Sequence, residues 1–227
     1  MQAGSIIGQA WQLYKAHWRH LIPIAFVVFV LISLLELLLV AVLGWVGVAA
    51  AGLVAIAGIF WLQGALVVAA DDIRDGQADL NVSATLGRVR PRLNTLTLAG
   101  LLAAAGISIG LILLIVPGLI LLTIWLLIVP AIMLEGHGVL SSFGRSRELV
   151  RGHGWSVFGV IALTVLILIA VTIGFDIVSA AIDAAWATLL VDIVSQAVTA
   201  PFVALAWTLT YYALRTLKEG APVPAAA

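Results

Sequence analysis

Pro130-Ala-Ile-Met-Leu-Glu135-Gly-His-Gly-Val-Leu-Ser-Ser-Phe-Gly144-Arg-Ser-Arg-Glu-Leu-Val-Arg151-Gly-His-Gly-Trp155 decides the fold. An apolar run stops at an acid followed by glycine. A basic amphipathic segment comes next, and Trp155 opens a further apolar run. That order is expected of a basic connection between two membrane-spanning helices, lying flat at the headgroup level.

Apolar runs long enough to span a bilayer lie on both sides of this stretch. A crossing takes about 20 apolar residues. Six such runs are expected, over about 21–43, 46–70, 93–116, 118–135, 155–175 and 188–212. Pro117-Gly118 is read as the tight turn into the fourth, and Pro130 and Pro201 as kinks in the fourth and sixth. Gly106 and Gly110 form a Gly-x-x-x-Gly contact motif.

Bulk composition agrees. The 227 residues are 63% hydrophobic and 10% charged, with mean hydropathy +1.21. A soluble domain needs far more polar surface. A membrane β-barrel would show short alternating segments, and none is present. The fold class expected is therefore all-α and integral to the membrane. Formal net charge is zero, so nothing points to nucleic acid. With no cysteine, disulfides, thiolate metal sites and a cysteine nucleophile are excluded. Residues 1–20 do not read as a cleavable signal.

The cations orient the chain. Connections near Gly44–Gly47, at Pro117-Gly118 and over Asp176–Trp186 contain no Lys or Arg. All 11 cations lie on the other side: Lys15, Arg19, Arg74, Arg88, Arg90, Arg92, Arg145, Arg147, Arg151, Arg215 and Lys218. The positive-inside rule then places both termini in the cytoplasm. A bacterial inner membrane is the expected setting.

The same unit recurs three times: amphipathic helix, span out, short turn, span back, acid-Gly stop. Ser5–Lys15 aligns with Ser141–Arg151, and Ala84–Arg92 is the middle copy. Trp61, Trp125 and Trp207 sit on the returning spans. The stops are Asp75-Gly76, Glu135-Gly136 and Glu219-Gly220. One domain over 1–220 is expected, with parallel repeats at about 3–76, 82–136 and 139–220. The tail 221–227 is expected to be disordered.

Two amphipathic helices can be assigned faces. Ile7, Ala10, Trp11, Tyr14 and Trp18 fall on one side of the first, with Gln9, Gln12, Lys15 and Arg19 opposite. Val139, Leu140, Phe143 and Val150 make the apolar side of the other, opposite Arg145, Glu148 and Arg151. Lys15, Arg19, Arg88, Arg90, Arg92, Arg145, Arg147 and Arg151 are the candidate contacts to anionic headgroups. Asp71, Asp72, Glu135, Glu148, Arg215 and Glu219 are expected to pair with neighbouring charges at the inner face.

Glu36 and Asp192 are intramembrane acids, roughly 10 Å from the outer end at 1.5 Å per residue. Such acids suggest function, here a shared proton or a bound cation, with Gln196 one turn below Asp192. His17 and His20 lie three apart on a helix. Without cysteine or a His-x-x-x-His pair they read as interfacial residues, so no metal or cofactor is expected. No catalytic constellation is present.

Four segments carry a resemblance: Pro130–Gly136, Phe143–Gly152 with Trp155, Pro201-Phe202, and Tyr211-Tyr-Ala-Leu-Arg-Thr-Leu-Lys-Glu-Gly220. Together they resemble the membrane domain of bacterial glycerophosphoryl diester phosphodiesterases and its stand-alone relatives. The motifs cover about the last hundred residues. In the enzymes that domain precedes a catalytic barrel, which is expected to be absent here. The resemblance implies a lipid-associated module without phosphodiesterase activity.

Three functions remain open. One is a non-catalytic module engaging membrane lipids, with scaffolding of other membrane proteins. Another is a small transporter or channel using Glu36 and Asp192. The third is a structural subunit of a larger membrane complex.

Overall fold

A computed structural model describes residues 2–75, 79–180 and 185–220; at Asp75, 178–180, 185–190 and Asp192 it describes backbone alone. The acid-Gly stop at Gly76, the tail 221–227 and the side chain of Asp192 lie outside the described residues. No strand occurs among the described residues. Eight α-helices do: α1 (Ala3–Asp72), α2 (Val82–Val89), α3 (Leu93–Leu113), α4 (Ile115–Ile124), α5 (Ile128–Glu135), α6 (Val139–Val150), α7 (Gly154–Ala180) and α8 (Ala185–Glu219). Five helical stretches are long and apolar enough to cross a membrane: α1, Val82–Leu113, Ile115–Glu135, Gly154–Ile177 and Ile193–Glu219.

α1 is not straight. His17 leaves helical geometry at φ −123°, ψ 16°, and Gly44 does so at φ 56°, ψ −129°. The positive φ at Gly44 costs glycine little and other residues much. There the chain folds back on itself. A Cβ on Gly47 would strike the Leu39 carbonyl, and one on Gly58 would lie 2.6 Å from Ile32 Cδ1.

α1 packs most extensively on α8. Leu21, Ile24, Leu66, Leu96, Ile132 and Leu205 are fully buried in the main core. Many core positions are alanine or glycine, which lets backbones approach closely. A Cβ on Gly106 would meet the Trp125 ring at 2.7 Å, and one on Gly110 would lie 3.0 Å from Gly118 Cα. The Gly106–Gly110 motif therefore seats α3 on α4. Outward-facing apolar residues are common; Leu37 is 67% exposed and Ile112 83%. A bundle dry inside and apolar outside suits lipid as its solvent.

Three expectations need correcting. The turn between α3 and α4 falls at Leu114 (φ −158°, ψ 131°), not at Pro117-Gly118. Pro117 sits in the first turn of α4, where its missing N–H has no intrahelical partner to lose. The fourth span, Ile115–Glu135, is interrupted over Trp125–Leu127, in keeping with the kink expected from Pro130. Pro130 is the cause: its ring displaces the Leu126 carbonyl four residues earlier and supplies no N–H to it. α7 runs to Ala180, past the expected end at Phe175. Finally, α6 packs Val139, Phe143 and Val150 inward as expected, together with Ser142, Ser146 and Leu149, but Leu140 is 77% exposed.

Ser146 has its partners on that buried side. Its hydroxyl donates to the Ile124 carbonyl at 2.7 Å and accepts from the Leu127 N–H at 3.1 Å. Both backbone groups belong to the interruption that Pro130 creates. A serine on α6 thus satisfies the freed ladder of the α4–α5 break, as buried backbone requires.

Candidate functional site

Polar contacts gather at the bundle end where α5 stops and α6 begins. Glu135 is the last residue of α5, and Gly136 caps it in the left-handed region at φ 77°. Arg145 Nε donates to Glu135 Oε2 at 2.7 Å, and Arg145 Nη2 donates to Oε1 at 2.9 Å. This is the bidentate fork that arginine makes with an ionised carboxylate. Tyr211 donates its hydroxyl to Glu135 Oε1, and His137 Nε2 lies 2.9 Å from Oε2. The Glu135 and Arg145 side chains are only 13% and 14% exposed. Glu135 chiefly, and Glu219 with it, raises the pKa of the Arg145 guanidinium and holds it charged.

The network reaches α8 and α6. Arg145 also donates to Glu219 and, at 3.4 Å, to Glu148. Arg215 Nε donates to Glu219 Oε2 at 3.0 Å. Lys218 donates to the Glu148 carbonyl. Beside it lies a second knot. Tyr212 donates to Asp71, Arg74 Nη1 lies 3.5 Å from Asp71, and the Arg74 guanidinium covers the Tyr212 ring at 3.8 Å. Asp72 Oδ2 accepts the Leu80 N–H at 2.9 Å and lies 4.0 Å from His20. Arg92 Nη1 donates to the Gly136 carbonyl at 3.1 Å.

Residues from His20 to Glu219 thereby meet at one end of the bundle. Among the expected pairing residues, Asp71, Asp72, Glu135, Glu148, Arg215 and Glu219 all enter these contacts. Arg145 was expected on the wet face of α6. It turns inward instead, because Glu135 and Glu219 offer it three carboxylate oxygens.

The remaining cations are more open. Lys15 lies 5.7 Å over the Trp11 ring and Arg19 lies 5.5 Å over Trp18. Arg88, Arg90, Arg147 and Arg151 are exposed, with no carboxylate in ion-pair reach among the described residues. In the first limb of α1 the buried residues are Ile6 and Ala10, while Trp11 is 50% exposed and Trp18 46%. The tryptophans therefore lie on its outward side, the placement of aromatic anchors at a membrane interface.

Glu36 is half-buried and Gln196 exposed. Neither side chain has a hydrogen-bond partner among the described residues. His17 Nδ1 lies 3.3 Å from the Leu13 carbonyl, a bond within its own helix. Tyr211, Tyr212, Ser146 and His137 carry roles that sequence patterning does not assign. The adjacent tyrosines at the end of an apolar run were the available signal, since buried phenols need partners.

No family model, no curated protein and no solved structure matches this chain.

Proposed function

We propose that this chain is a non-catalytic, six-crossing membrane module whose cytoplasmic face engages anionic phospholipids. In this reading α1 contributes two crossings, reversing at Gly44. Both termini lie in the cytoplasm of a bacterial cell. The three hairpins are parallel repeats, tied together by the Glu135–Tyr211 and Asp71–Tyr212 contacts. The resemblance to the phosphodiesterase membrane domain supports the same reading from motifs.

One observation carries it. The bundle end that collects the cations satisfies some of them internally and leaves Arg88, Arg90, Arg147 and Arg151 exposed without acids. Juxtamembrane arginines with no protein partner attract anionic headgroups by about 1 kcal/mol each.

The test is the lipid that stays with the purified protein. Phosphatidylglycerol and cardiolipin should be enriched over phosphatidylethanolamine relative to the source membrane. Co-purified lipid with the same composition as the bulk membrane would sink the proposal.

A further inference from the structure

A groove of about 720 Å³ runs between α4 and α7. Its apolar walls include Leu119, Ile120 and Ile124 of α4 and Trp155 and Phe158 of α7. It follows α4 from Val116 to Ile124, about 12 Å at 1.5 Å per residue. It shares Ile124, Gly152 and Gly154 with a second cavity of about 560 Å³, which Arg147 and Arg151 line. The first is hydrocarbon in character and the second cationic.

The cationic mouth lies beside the ion-pair network but outside it. Arg147 and Arg151 have no partner among the described residues, although Arg145, two positions before Arg147, is fully engaged. Glu148 also lines the mouth, but its carboxylate lies 3.4 Å from Arg145. Gly144, Gly152 and Gly154 border the opening, and a Cβ at any of them would meet nothing within 4 Å. Packing therefore does not demand glycine at Gly144 or Gly154; their small size leaves the mouth open. The first turn of α7 begins at Gly154 and presents N–H groups that attract anions. His153 lines the groove, and its buried Nδ1 has no partner. Trp155, 88% exposed, lines the apolar part.

We infer that this groove holds one anionic glycerophospholipid, with its phosphate between Arg147 and Arg151 and one acyl chain along α4 and α7. The inference rests on the lipid-engaging reading above and narrows it to a single site. A soluble phosphate ester would use the arginines and leave the apolar wall empty. A neutral lipid would fill the wall and leave two arginines unpaired. A phospholipid satisfies both.

Native mass spectrometry of the purified full chain, titrated with phosphatidylglycerol or phosphatidylcholine, tests this. The wild type should take up about one phosphatidylglycerol tightly and prefer it to phosphatidylcholine. The Arg147→Ala/Arg151→Ala double variant should bind it at least tenfold more weakly, about 1.4 kcal/mol. Gly154→Leu, whose Cβ would meet nothing within 4 Å and whose side chain would narrow the mouth, should do the same. Arg88→Ala/Arg90→Ala should shed loosely held anionic lipid from the inner face and leave the affinity for the one tight lipid within twofold of wild type. Melting temperatures check that each variant is folded, and the two site designs fail independently. Wild-type affinity in both site variants would overturn the groove. Loss of the tight lipid in the Arg88/Arg90 variant instead would overturn the groove and leave the general lipid reading standing. No preference for phosphatidylglycerol in the wild type would overturn both. Glycerol 3-phosphate binding as tightly as the lipid would show that the acyl wall contributes nothing and overturn the lipid assignment.

Discussion

Tyr211 donates its hydroxyl proton to Glu135, 76 positions earlier in the chain. Its neighbour Tyr212 donates to Asp71, 141 positions earlier. Two adjacent phenols on α8 thus bind the ends of two different returning helices. The rings meet edge-on with centroids 5.2 Å apart, so neither can move without the other. α8 is the element that locks the hairpins to one another at this face.

Glu135 should be the most sensitive residue of the network. Glu135→Ala leaves Arg145 charged and largely buried without its main partner, and breaking such a pair costs about 3–5 kcal/mol. Tyr211→Phe removes one bond to a charged group and should cost about 1.5–3 kcal/mol. Thermal unfolding in detergent should rank the variants in that order. Equal losses would mean that the Arg145 fork contributes nothing beyond the phenol.

Ser146 should depend on Pro130. Ser146→Ala strands the Leu127 N–H and the Ile124 carbonyl, at a cost of about 1–3 kcal/mol. Pro130→Ala restores an N–H donor opposite the Leu126 carbonyl and lets the ladder close. In that background Ser146→Ala should cost less than about 1 kcal/mol. A double-mutant cycle by thermal unfolding reads the coupling directly. Strict additivity would mean that the serine does not serve the break.

Apolar run length made most of the architecture legible, because lipid forces spanning backbone into helices. Gly44 was readable as a reversal, since few other residues take positive φ. Pro117 was misleading: proline signals a turn and also suits a first helical turn, and hydropathy does not separate the two. The buried side of α6 was legible only in part for a related reason. Serine counts as polar in a periodicity, yet Ser146 faces inward, where the Ile124 carbonyl accepts its hydroxyl, and Ser142 is buried with its hydroxyl donating to the Val139 carbonyl of its own helix. Arg145 and Arg147 look alike in sequence. Only the fold brings Glu135 and Glu219 to one of them and leaves the other open.

Gly136 and Gly87 should respond oppositely to alanine. Gly136 has φ 77°, and a Cβ there would sit 3.0 Å from Arg92 Nη2. The left-handed conformation alone costs about 1–2 kcal/mol for an L residue. Gly136→Ala should therefore lower the melting temperature. Gly87 lies inside α2 with nothing within 4 Å of a would-be Cβ. Gly87→Ala should stabilise by about 0.5–1 kcal/mol. Stabilisation at both positions would remove the case for a glycine-specific cap after α5.

The orientation of the bundle can be read by cysteine labelling, because the native chain contains no cysteine. Leu114 joins α3 to α4 and is 67% exposed, at the opposite end of α3 from Arg90. Lys and Arg are retained on the cytoplasmic side during insertion, so the end carrying Arg90 should face inward. An impermeant maleimide added to intact cells should label Leu114→Cys. It should label Arg90→Cys only once the membrane is opened. The reverse pattern would invert the whole module and put its unpaired arginines outside the cell. They would then face the leaflet away from the cytoplasm, where the excess of anionic lipid invoked above does not apply.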